Sequence, residues 1–210
     1  MRIVGVCLAA MLLSTVAAAT EFDDKATGFH MSLDLPGALV CVIQPASLQN
    51  AVACKGIDVA KATSPDNKSL ITAIVRKPGA WGAMLVVTAQ KFAHSGPATK
   101  HDAEEAAAGA FESMQADVNP KAQFKELRPG VRIDTQVIQG VQAFTFLFGA
   151  PPTPESAFDA YLESMVIGRE HLVTLLWETG TPKLPQVQAA ADALLKTVRM
   201  PPSTGSPAWK

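Results

Sequence analysis

Apolar and polar residues alternate through Phe29-His30-Met31-Ser32-Leu33-Asp34-Leu35, which puts Phe29, Met31, Leu33 and Leu35 on one side and His30, Ser32 and Asp34 on the other. That period predicts a half-buried strand stopped by Pro36-Gly37. Residues 39–43, an apolar run carrying Cys41, predict a second strand returning from this turn. Residues 45–66 show no clear period and end on the turn residues Ser64-Pro65-Asp66-Asn67. Beyond them, 70–77 and 81–92 are rich in β-branched and apolar residues, and Pro78-Gly79 between them predicts a hairpin.

Ser95-Gly96-Pro97 then breaks the pattern, and Ala103, Ala107, Ala110, Phe111, Met114 and Val118 follow the spacing of one helical face. Thr99 and Asp102 suit the start of that helix and Asn119-Pro120 its end. A second hairpin is expected over 131–148, turning at Gln139-Gly140, with Phe144, Phe146 and Phe148 as a core stripe. Residues 156–179 predict a third pair turning at Gly168-Arg169-Glu170, in which 172–177 is a buried strand. Its first half, 155–167, reads as strand or helix, because Phe158, Tyr161, Leu162 and Met165 also share a helical face. Val187, Ala190, Ala191, Leu194, Leu195 and Val198 mark a final helix, with Lys196 and Arg199 in its last turn and Pro201-Pro202 ending it. Sequential hairpins with helices inserted in the middle and at the end describe an α+β fold, an antiparallel β-sheet covered by helices.

The first residues change where that domain begins. Arg2, an apolar stretch over 3–16 and the small residues Ala17-Ala18-Ala19 form the three parts of a secretory signal peptide, with cleavage expected between Ala19 and Thr20. The stretch is shorter than the roughly 20 apolar residues of a bilayer span, and no later segment is long and apolar enough to cross a membrane. The expected organisation is therefore a cleaved signal over 1–19, one α+β domain over 20–202 and a flexible tail over 203–210. Cleavage removes Cys7 from the three cysteines and leaves Cys41 and Cys54, a pair expected to form a disulfide outside the cytoplasm. It also removes Arg2, leaving 17 of the 18 basic residues against 19 acidic ones, a balance that offers nothing to nucleic acid or an anionic membrane.

The order of elements resembles the PsbP-like superfamily of small α+β domains, which includes bacterial periplasmic proteins of the DcrB type. Four features carry the resemblance: the opening strand from Phe29 to Pro36, the hairpin around Pro78-Gly79, the helix near 100–118 followed by the 131–148 hairpin, and the terminal helix ending at Met200-Pro201. It extends over about 28–202, and residues 41–54 depart from it. The resemblance implies an α/β/α sandwich and a binding, assembly or accessory role more often than catalysis.

Candidate chemistry is sparse. His94 and His101 lie near Asp102, Glu104 and Glu105, but a Gly96-Pro97 break separates the two histidines, so no metal site is expected. No Gly-x-Ser-x-Gly elbow or phosphate-binding glycine loop occurs, and no cofactor is expected. Asn67-Lys68-Ser69 matches the glycosylation sequon, which matters only in a eukaryotic source. Arg76, Lys77 and Trp81 flank a hairpin tip, and Trp and Arg are enriched at binding hot spots, so these three are the candidate partner-binding residues. The competing view seats Trp81 on the core with the cations solvated. The expected function is that of an exported, periplasmic or secreted, non-enzymatic protein-binding or accessory module. A small-ligand carrier or sensor with a cavity between sheet and helices is the alternative, and a hydrolase comes last.

Overall fold

The structure is a computed structural model that describes residues 20–62, 68–92, 105, 108–109, 125–126, 134–138, 141–149 and 158–202. A short hairpin comes first, β1 (Glu21–Asp24) with β2 (Phe29–Ser32). The main sheet follows in β3 (Leu39–Gln44), β4 (Ile71–Lys77), β5 (Trp81–Lys91), β6 (Lys125–Glu126), β7 (Asp134–Ile138), β8 (Val141–Gly149), β9 (Ala160–Ile167) and β10 (His171–Thr179). A short helix α1 (Val59–Ala62) lies between β3 and β4, and α2 (Leu184–Leu195) follows β10. The main sheet runs β3-β4-β5-β10-β9-β8-β6, with β7 also on β8, and every neighbouring pair is antiparallel.

Strand alternation explains the packing. Ile71, Ala73 and Val75 of β4, Ala83, Leu85 and Val87 of β5, and Val173, Leu175 and Trp177 of β10 all face one side and are buried. Val187, Ala191, Leu194 and Leu195 of α2 close over them, joined by Phe22 of β1 and by Phe29 and Met31 of β2. On the other face Ile74, Met84, Val86 and Leu176 are half-buried. β9 is buried along its whole length, on both faces, and so reads as continuous burial without a period.

The three expected strand pairs are present as β4 with β5, β7 with β8 and β9 with β10, the turn Gln139-Gly140 itself lying outside the described residues, and the ambiguous segment is a strand over Ala160–Ile167. Three details differ. β3 does not return along β2: it pairs with β4, while β2 pairs with β1, a strand whose sequence Glu21-Phe22-Asp23-Asp24 shows one inward apolar residue. The last helix stops at Leu195, well before Pro201-Pro202, and Arg199 lies beyond it. Residues 198–202 instead run as a strap: Arg199 exchanges both backbone hydrogen bonds with His30, and Pro202 bridges Gly168. The strap lies so close to Gly168 that a side chain there would overlap Met200 Cε. The expected helix near 100–118 and the tail over 203–210 fall outside the described residues, apart from Glu105, Ala108 and Gly109. The proposed signal over 1–19 also falls outside them, so Ala19 is not described, whereas the Thr20 carbonyl accepts the Leu33 N–H at 2.8 Å.

Candidate functional site

The turn at the tip of the β4–β5 hairpin follows from its sequence. Pro78 fixes the second residue of a β-turn, Gly79 takes the left-handed conformation at φ 71° that the third requires, and the Ala80 N–H closes onto the Lys77 carbonyl at 3.0 Å. Lys77 and Trp81 then face each other as the last paired residues.

Cys41 and Cys54 form a disulfide. By register, Cys41 lies on the sheet face away from α2, together with Ile74 and Arg76, so the bond draws the loop after β3 onto that face. The Arg76 guanidinium fixes the loop's far end, with Nη2 donating to the carbonyls of Ala53 at 2.9 Å and Lys55 at 2.6 Å. Gln49 Nε2 donates to the Ile43 carbonyl at 2.9 Å, so the same loop also covers part of the outer edge of β3.

Between the anchored loop and the hairpin tip lies a groove of about 730 Å³, open to solvent. Val52, Lys55 and Arg76 line one side of it, and Lys77, Pro78 and Trp81 the tip. Lys183, from the 3-10 turn Thr181–Lys183 that leads into α2, also lines it. Val52 is 77% exposed, and Lys55, Lys77 and Lys183 are also exposed. Trp81 is half-buried and packs partly on the core.

The three residues singled out at the hairpin therefore share one place but differ in role. Arg76 builds a wall of the groove, Trp81 joins core to groove, and Lys77 is exposed at the tip with its Cε beside Gly37. Val52, Lys55 and Lys183 could not be read from local sequence, because a disulfide loop and the turn before α2 bring them there.

No protein-family profile matches the chain. No curated protein matches it in sequence. Among solved structures, cyanobacterial PsbP (CyanoP) from Synechocystis sp. PCC 6803 is similar over 93% of this chain and 98% of its own, at a TM-score of 0.54 and 14% identity. The fold is PsbP-like. At that identity the likeness is one of architecture, and the groove has to be understood from its own residues.

The other chemistry in this PsbP-like fold lies apart from the groove. His30 is 3.2 Å from Glu21 across β1 and β2, and His171 opens β10. His94, His101, Asp102 and Glu104 lie outside the described residues, as do Asn67 and the side chains of Phe144, Phe146 and Phe148. Two carboxylates occupy the face away from α2. Glu163 is 3% exposed, and by register Glu178 lies diagonally from it on β10. Burial pushes both carboxyls up to about 7 from an ordinary 4.5. Glu163 Oε2 is buried and has no hydrogen-bond partner among the described residues. An isolated Glu inside the apolar run 160–167 was the sequence signal for this group, and it was missed.

Proposed function

We propose that the protein is an exported, non-enzymatic accessory module that docks a protein partner through the groove beside the β4–β5 hairpin. The observation that carries this is the groove itself, a concave surface held rigid by a disulfide and by two Arg76 hydrogen bonds, with Trp81 and the exposed Val52 facing into it. Rigid walls lower the ordering cost of association, and a half-buried tryptophan is a suitable anchor. Export is supported by the signal-like sequence over 1–19 and by the disulfide, which persists in oxidising compartments. The accessory role agrees with what the PsbP-like resemblance implies. A carrier of small ligands suits an enclosed pocket, whereas this groove is open and the space beneath α2 is filled by Trp177, Leu85 and Leu194.

A photo-crosslinking side chain placed at Lys77 in the producing cells should give a discrete protein adduct. The same group at Lys25, an exposed residue in the β1–β2 turn, should give none. Absence of an adduct at Lys77, or the same adduct from both sites, rules against docking at the groove.

A further inference from the structure

We propose that the groove's occupant is an extended acidic peptide segment of a partner protein, recognised by the cations of Lys55, Arg76, Lys77 and Lys183 that line it. This deepens the docking role proposed above and rests on it. Ion pairs among the described residues join His30 to Glu21 and Lys61 to Asp58, and neither involves these four cations. No described residue lining the groove is acidic. The whole chain has 18 basic and 19 acidic residues, so a groove lined by four cations and by no acid among the described residues departs from its overall balance. Like charges held together repel, and a low-dielectric wall strengthens their field, so an anionic occupant relieves a cost that the free protein carries.

Several features select a peptide over a compact anion. The charges come from three places in the chain, the loop at Lys55, the adjacent pair Arg76 and Lys77, and the turn at Lys183, so they are spread along the groove's lining. Arg76 already commits Nη2 to two carbonyls, so its guanidinium is not free to offer the full planar fork that grips a phosphate. Leu39, Val52, Pro78 and Trp81 line the same groove and can receive apolar side chains. A chain with alternating carboxylates and apolar groups matches both. A bilayer surface is flat, whereas the cations here lie around a concavity, and Val52 is the strongly exposed large hydrophobic among the described residues.

Fluorescence polarisation with the purified protein tests this. The probes are a labelled peptide rich in Asp and Glu with one Leu and one Phe, its counterpart with Lys in place of the acids, and an acidic peptide with Ser in place of the apolar residues. The first should bind at least about tenfold more tightly than either of the others and weaken about tenfold as salt rises to a few hundred millimolar. A Lys77→Glu/Lys183→Glu variant alters two exposed side chains and should lose about tenfold in affinity with an unchanged circular dichroism spectrum, while Lys25→Glu/Lys68→Glu should bind as before. Equal binding of the basic peptide, no effect of Lys77→Glu/Lys183→Glu, complete displacement by inorganic phosphate, or binding to anionic vesicles without binding to the peptide would each overturn the acidic-segment assignment. A crosslink at Lys77 without affinity for the acidic peptide overturns the choice of occupant and leaves the docking role standing; loss of both overturns both.

Discussion

Glu163 is the residue whose burial has the clearest energetic consequence. A carboxyl titrating at about 7 in the folded chain and at 4.5 when unfolded binds more protons in the folded state between those values, so stability falls as pH rises across that window. The loss is complete above about 7 and reaches roughly 3 kcal/mol for one such group as an upper figure. Glu178 acts in the same direction. Denaturation should therefore show higher stability at pH 5 than at pH 8. Glu163→Gln should raise the midpoint at pH 8, change it little at pH 5 and flatten the profile; an unchanged profile would show that Glu163 is not held near neutrality. At this scale the sequence was informative about position but not about partners. Arg76, Lys77 and Trp81 stood out by type, yet the two carbonyls that engage Arg76 belong to residues more than twenty positions earlier, a pairing that no local pattern encodes.

Among the elements, those built from neighbouring residues were the legible ones. The β4–β5, β7–β8 and β9–β10 hairpins each carry their own turn residues, and alternation fixes which face is buried. β1 escaped notice because three of its four residues are acidic and only Phe22 points inward. The pairing of β3 with β4 was not legible either, since the two are separated by the disulfide loop and α1. β9 stayed ambiguous because burial on both faces erases its period. The loop after β3 is the element most open to a decisive measurement. Replacing both Cys41 and Cys54 by Ala removes a cross-link spanning 13 positions and should cost about 3 kcal/mol in chemical denaturation. Amides of residues 46–56 should exchange faster in that variant while those of β5 and β10 keep their relative protection. Unchanged exchange would mean that Arg76 and Gln49 hold the loop alone.

For the molecule as a whole, the strap over 198–202 ties the β1–β2 hairpin to the main sheet. It bonds His30 on one side and meets the β9–β10 turn on the other, while Ser32 takes a further bond from its backbone N–H to Thr197 Oγ1 at 3.1 Å. Arg199→Pro removes the N–H that donates to His30 and should release the hairpin selectively: hydrogen exchange at 21–32 should accelerate, with β4, β5 and β10 still protected. Uniform acceleration across the sheet would instead show one indivisible cooperative unit. The strap also sets an order of events. The bond between Ser32 and Thr197 spans 165 positions, so the hairpin among the first described residues gains its lasting contacts only after nearly the whole chain has left the ribosome. Until then its apolar face, with Phe22, Phe29 and Met31, has no α2 to pack against. Docking of this hairpin is therefore the step that waits for the C-terminal end, whatever part of the sheet has formed before it.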